Sequence, residues 1–210
     1  TNVTVDGSAL RGDFDVTAID GNVTIKGGAG ADALIGGSGA DTIYGNAGAD
    51  TITGSGGKDT MYGGAGADTF DIATGNATSA VAVVTDIIMD FTTGASGDTI
   101  DLEFDGAVIG DKASTDVSAA VTGTTDLNAV TVDGIITLSG TGVSLVDTAA
   151  EVIDIFELMD ATNTEEFGAV VVGDDTYVIG INSSNAVLEV VLLDSMNTAT
   201  SISLTDAESA

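Results

Sequence analysis

The chain of 210 residues has no cysteine and no histidine, and only 4 Lys+Arg stand against 33 Asp+Glu. Without Cys and His the usual ligand sets for zinc, copper and iron are missing, as are a disulfide framework, a cysteine nucleophile and a Ser-His-Asp triad. The shortage of Lys and Arg argues against nucleic acid and anionic lipid as partners, because both are held by basic clusters. No run of about 18 apolar residues is present, so no helical membrane span is expected. The first residues carry no basic-then-apolar leader pattern. The chain opens on Thr1-Asn2-Val3 without Met, as expected of a fragment or a processed product.

What remains is carboxylate and carbonyl chemistry. A 43% hydrophobic composition with mean hydropathy +0.35 is enough for a folded core. A net charge of −29, however, makes the chain repel itself unless something neutralises it. A cation fits that need. The acids are mostly Asp, a turn residue and a hard oxygen ligand, which suits Ca²⁺.

At a period of nine the chain reads GGAGADALI (27–35), GGSGADTIY (36–44), GNAGADTIT (45–53), GSGGKDTMY (54–62) and GGAGADTFD (63–71). The first and fourth positions are always Gly, the sixth is Asp32, Asp41, Asp50, Asp59 and Asp68, and the eighth is Leu34, Ile43, Ile52, Met61 and Phe70. Six residues of turn followed by three of strand reverse the chain at every repeat. Two repeats then make one flattened coil, with the eighth-position side chains inside. Turns eighteen residues apart stack at about one strand spacing, roughly 4.8 Å. Asp32 then meets Asp50, Asp41 meets Asp59 and Asp50 meets Asp68. Each such pair repels by about 1 to 3 kcal/mol at an effective dielectric of 20 to 80. Glycines let the turn carbonyls crowd toward the same gap, and Ca²⁺, which takes six to eight oxygens, turns carbonyls plus Asp into a cage. On this register Asp50 serves two gaps and Asp32 mainly one.

These nonapeptides resemble the RTX (repeats-in-toxin) family of calcium-binding parallel β-rolls, with the signature G-G-x-G-x-D-x-U-x. Asn46 and Ser55 depart from it at the second position, and Lys58 sets a positive charge beside Asp59. The resemblance implies calcium held by turn residues Gly27, Ala29 and Asp32; Gly36, Ser38 and Asp41; Gly45, Ala47 and Asp50; Gly54, Gly56 and Asp59; and Gly63, Ala65 and Asp68. Val16 and Ile25 continue the eighth-position register backwards, through turns poor in Gly and Asp. Asp20 and Asn22 are placed to complete a site on the Gly36–Asp41 turn. Residues 81–102, VAVVTDIIMDFTTGASGDTIDL, look like the segment that closes many RTX rolls, which makes Asp90 and Asp98 candidate ligands; the other reading is solvated turn acids. Asp86, eighteen residues after Asp68, is a further candidate.

Other readings of these motifs are weaker. Gly56-Gly57-Lys58-Asp59 has Asp where a phosphate-binding loop needs Ser or Thr. A Gly-rich linker would not fix Asp and a large apolar residue at positions six and eight. Arg11-Gly12-Asp13 reads as a turn rather than an adhesion tripeptide.

Downstream, residues 129–138 suggest a strand-turn-strand. Thr148 to Met159 suggests a helix with Val152, Ile155, Phe156 and Met159 on one face, and AVVV, TYVIGI and VLEVVLL suggest a three-stranded meander. The expected architecture is all-β, a parallel β-roll over 1–91 followed by a smaller β-rich C-terminal domain over 92–210 with one helix. The order GDDTYVIGI…VLEVVLLDSMNTATSISL resembles the C-terminal region of type I secreted proteins, with their export signal, and implies the type I secretion apparatus as a partner. NVTVDGSALRGDFDVTAIDGNVTIKGG looks like the upstream repeats of RTX-type surface-layer proteins. The expectation is a secreted or cell-surface calcium-binding protein without catalysis. One reading makes it the C-terminal part of a self-assembling surface layer; the other makes it the folding and secretion carrier of a longer adhesin, toxin or enzyme.

Overall fold

The nine-residue period becomes two parallel ladders. The computed structural model describes residues 2–72, 86–94 and 96–102, and beyond them residues 107–108, 112–116, 128–132, 135–139, 152, 155, 166–172, 175–181, 187–194 and 203–206. By its contacts the chain divides into two compact units, one of Thr1–Asn76, Val84–Phe104 and Ile202–Ala210, the other of Ala77–Val83 and Asp105–Ser201.

In the first unit one ladder stacks β1 (Val3–Asp6), β3 (Val23–Lys26), β5 (Thr42–Ala47), β7 (Thr60–Ala65) and β9 (Asp86–Ile88). The other stacks β2 (Val16–Thr17), β4 (Ala33–Ile35), β6 (Thr51–Thr53), β8 (Thr69–Ile72), β10 (Thr99–Leu102) and, at its far edge, β18 (Ser203–Asp206). All pairings within these ladders are parallel, and between β2 and β8 partners lie eighteen residues apart: Val16 with Leu34, Leu34 with Ile52, Ile52 with Phe70. The other ladder matches Ile25 with Ile43 and Ile43 with Met61. Consecutive repeats therefore alternate between ladders, as a parallel β-solenoid requires.

The eighth-position side chains form the core. Ile25, Leu34, Ile43, Ile52, Met61, Phe70, Ile88 and Ile100 are all completely buried, and Phe91 tilts against Phe70 at 6.1 Å between ring centroids. Truncating Phe70 to Ala removes a large side chain that the rigid ladders cannot close over. We expect a loss of about 3 to 5 kcal/mol in denaturant unfolding of the calcium-loaded protein. Thr51→Ala, on the exposed face of the same ladder, should cost under about 0.5 kcal/mol.

The eighteen-residue interval stretches beyond the fifth repeat. Met61 pairs with Ile88 and Phe70 with Ile100, and residues 73–85 of the intervening chain lie outside the described residues. The two strands of the 81–102 segment thus enter opposite ladders instead of pairing with each other. β18 then adds in parallel to β10, matching Leu204 to Ile100. In chain order the second unit is therefore an insertion between two roll strands, and the roll extends past residue 91.

The second unit contains β11 (Ala107–Val108), β12 (Lys112–Asp116), β13 (Asn128–Val132), β14 (Ile135–Ser139), β15 (Glu166–Val172), β16 (Asp175–Ile181) and β17 (Val187–Leu193). β13 and β14 form an antiparallel hairpin, with β12 antiparallel on β13. β15, β16 and β17 form the meander, with Val170 opposite Tyr177 and Val178 opposite Val191. β14 and β11 both pair with β15 in parallel. Consecutive residues Ala169-Val170 and Val178-Ile179 are buried, so these strands are covered on both faces. Of the helix expected over Thr148–Met159, Val152 and Ile155 are helical and buried; its other residues lie outside the described ones. Among the described residues no helix is long and apolar enough to cross a membrane.

Candidate metal centre

Each six-residue turn is held open by backbone conformations that favour glycine. Gly48, at the fourth position of its repeat, has φ 141, and a Cβ there would collide with the carbonyl of Gly30 in the turn stacked beneath it. At the second position the left-handed conformation is kept even where Gly is replaced, with φ 75 at Asn46 and φ 70 at Ser55. Ser pays more than Gly for that geometry, so Ser55→Gly should raise the thermal midpoint of the calcium-loaded protein, by about 0.5 to 1 kcal/mol of stability.

The sixth-position aspartates point inward and form a regular ladder. Asp32, Asp41, Asp50, Asp59 and Asp68 are each at most 2% exposed. One carboxylate oxygen of each accepts the backbone N–H eighteen residues earlier. Phe14 N–H donates to Asp32 Oδ1 (2.7 Å), Val23 to Asp41 (2.8 Å), Asp32 to Asp50 (2.8 Å), Asp41 to Asp59 (2.7 Å) and Asp50 to Asp68 (2.9 Å). Two later acids take over the same role across longer intervals: Asp59 N–H donates to Asp86 Oδ1 (2.8 Å) and Asp68 N–H to Asp98 Oδ1 (2.9 Å). Asp86 is thus joined to Asp59, not to Asp68. Both Asp86 and Asp98 stand two residues before a buried core Ile, the same D-x-U spacing as in the repeats, and that local signal identifies them once the nine-residue count has failed.

The second carboxylate oxygen tells a different story. Oδ2 of Asp41, Asp50, Asp59 and Asp68 is buried and accepts no hydrogen bond. It lies against the first glycine of its own turn, and at Asp41 and Asp50 the first-position carbonyl of the next stacked turn is close by. A Cβ on Gly36 would fall 2.5 Å from Asp41 Oδ2 and 2.9 Å from the Gly54 carbonyl oxygen. Gly45 has the same relation to Asp50 Oδ2 and the Gly63 carbonyl. A buried carboxylate oxygen facing carbonyl oxygens is repulsive on every side, which is the donor set of a hard cation. Among the described residues no three acidic side chains converge as a metal-holding cluster, so a cation bound here takes much of its coordination from carbonyls.

The buried charge also shows in proton affinity. Burial raises the carboxyls of Asp41 and Asp50 above the usual carboxylate range. It pushes Asp59 up to about 6, with Asp41 adding repulsion, and Asp68 up to about 6, with Asp98, Asp50 and Asp90 adding repulsion.

The remaining predicted positions fall around these oxygens. Ala29, Ser38 and Ala47 donate their N–H to the carbonyls of Leu10 (3.1 Å), Ile19 (3.1 Å) and Gly28 (3.2 Å) in the turn beneath. The carbonyls of Gly56 and Ala65 accept from Gly39 (2.7 Å) and Gly48 (2.9 Å). Asp90 spends both oxygens on the N–H groups of Gly63 (2.8 Å) and Gly64 (3.0 Å). Asp98 uses its second oxygen on Thr92, at 2.7 Å from the backbone N–H and 3.1 Å from Oγ1. In the first turns Asp20 accepts from Ser38 Oγ (3.1 Å) and Asn22 Oδ1 from the Ala40 N–H (3.2 Å). There, polar side chains supply between turns what inward carboxylates supply later.

Three comparisons with known proteins bear on this site. The RTX calcium-binding nonapeptide repeat matches at residues 20–43 and 35–70, in four copies. No curated protein matches the chain. Among solved structures, the AlgE6R3 subunit from the Azotobacter vinelandii mannuronan C5-epimerase, determined in solution, is 24% identical over 98% of this chain and 86% of that one, with a TM-score of 0.39. With the period, the parallel ladders and the orphaned inward carboxylates already in place, the match identifies residues 20–70 as RTX calcium-binding nonapeptide repeats stacked as a β-roll.

Proposed function

We propose that the stacked turns hold Ca²⁺ between Oδ2 of Asp41, Asp50, Asp59 and Asp68 and the first-position carbonyls of the neighbouring turns, and that the loaded roll is a structural part of an extracellular protein. The observation that carries this is that, among the described residues, Oδ2 of these four repeat aspartates is buried without a hydrogen bond; Asp101 Oδ1 is buried and unbonded as well, outside the repeats. Calcium supplies there the positive charge that lets the turns stack; the chain's own carbonyls and carboxylates set its position and exclude water.

Within that reading the protein is the C-terminal part of a surface-layer protein that assembles when calcium is present. Support comes from the exposed apolar side chains of Val3 (52%), Leu10 (46%) and Ile19 (78%) in the first coils, which favour association. Thr42, Thr51, Thr60 and Thr69 face outward on the ladders and add a regular polar surface. Secretion follows from the repeats' need for millimolar calcium, and the type I apparatus is the export route this reading requires. The competing role, a folding and secretion carrier for a larger protein, shares the calcium chemistry but needs no assembly. Electron microscopy and light scattering of the full-length protein distinguish them: sheets or large oligomers in millimolar Ca²⁺ that chelator disperses support the layer, and a strict monomer supports the carrier.

A further inference from the structure

The five repeat turns are not equivalent. At their second positions Gly37, Asn46, Ser55 and Gly64 all have positive φ, but Gly28 does not. The Gly27–Gly28 peptide is turned the other way, with two consequences. The Gly28 N–H donates to Asp32 Oδ2 at 2.6 Å, so Asp32 lacks the orphaned oxygen that its four successors carry. The Gly27 carbonyl meets the side chain of Asn46, whose Nδ2 donates to it at 2.8 Å. Asn46 occupies the second position of the turn stacked directly above, and its own stacked partner Gly64 brings no side chain there. Asp32 Oδ2 and the Gly27 carbonyl are therefore both taken by N–H donors of the chain itself, while the Gly45 carbonyl stays beside Asp32 Oδ2 as its equivalents do in the Asp41 and Asp50 turns.

We infer that the Gly27–Asp32 turn is a calcium-free cap closed by this reversed peptide, with Asn46 as the residue that locks it, and that calcium loading begins at Asp41. The inference rests on the calcium reading above and narrows it to particular turns. A carboxylate whose two oxygens both accept N–H bonds is neutralised locally, so the first coil holds together before the metal arrives.

The test uses the full 210-residue chain, calcium alone as probe, and equilibrium dialysis with metal analysis to count bound ions, beside the far-UV strand signal that remains in chelator. Asp50→Asn should lower the calcium count and stabilise the metal-free chain, because it removes an orphaned buried charge while keeping an acceptor for the Asp32 N–H. Asp32→Asn should leave the count unchanged and destabilise the metal-free chain, because an amide N–H₂ then faces the Gly28 N–H. Asn46→Gly should raise the count by one, because it frees the Gly27 carbonyl and lets the peptide turn to the orientation of the other repeats. A drop for Asp32→Asn equal to that of Asp50→Asn, or no gain for Asn46→Gly, overturns the inference. A wild-type chain that binds no calcium overturns the calcium reading itself, and the wild-type count alone identifies that outcome.

Discussion

In chelator the roll should lose its strand signal, and millimolar Ca²⁺ should restore it. The buried, unpartnered Oδ2 atoms of the four repeat aspartates Asp41, Asp50, Asp59 and Asp68 each carry a desolvation penalty of about 1 to 3 kcal/mol, and a chain of net charge −29 adds general repulsion. A domain's whole stability is only about 5 to 15 kcal/mol, so these penalties together are large enough to decide whether it folds. Far-UV circular dichroism with chelator, then with Ca²⁺, reads the change directly. Mg²⁺ should substitute poorly, since it demands short octahedral bonds that a cage of turn carbonyls does not offer. A strand signal already complete in chelator would contradict the account.

Acid should do in part what calcium does. Asp59 and Asp68 in the folded, metal-free roll titrate near 6 because burial disfavours their charged forms, whereas an unfolded Asp titrates near 3.9. The folded state thus binds protons that the unfolded state releases. Stability from these groups is fully present below about pH 4 and is lost as pH rises through about 6, at on the order of 2 kcal/mol for each carboxyl. In chelator, stability should therefore rise as pH falls from 7 to 5, seen as the return of part of the strand signal. In saturating Ca²⁺ the slope should reverse over the same range, because protons then compete with the metal for the same oxygens. Parallel slopes in the two buffers would mean that the titrating groups and the metal site are different.

Much of the roll is legible in the sequence because its period is strict. Once Gly and Asp recur every nine residues with an apolar side chain two places after the Asp, the alternating ladders, the eighteen-residue register and the buried row from Ile25 to Phe70 follow from chain geometry alone. The register fails where the chain stops counting in nines. Asp86 lies 27 residues after the aspartate whose N–H it accepts, and Asp98 lies 30 after its own, so arithmetic alone joins Asp86 to Asp68. The return of β18 to the roll depends on a pairing made across about a hundred residues, for which SISL carries no local sign. The state of the first turn was hidden for a subtler reason. Asn46 reads in sequence as a tolerated stand-in for Gly, since Asn accepts positive φ, and only the stacked structure shows its amide reaching the Gly27 carbonyl. Asp90 shows the opposite case: a charge that suggests a ligand is spent on two backbone N–H groups of the Gly63–Gly64 turn.

The central claim is that the orphaned Oδ2 atoms are where the metal sits. An anomalous difference map from crystals grown in millimolar Ca²⁺ tests it most directly. The account predicts peaks at about 2.3 to 2.6 Å from Oδ2 of Asp41, Asp50, Asp59 and Asp68, those at Asp41 and Asp50 also touched by the carbonyls of Gly54 and Gly63. Calcium found only at exposed acids, with those four oxygens still bare, would contradict it.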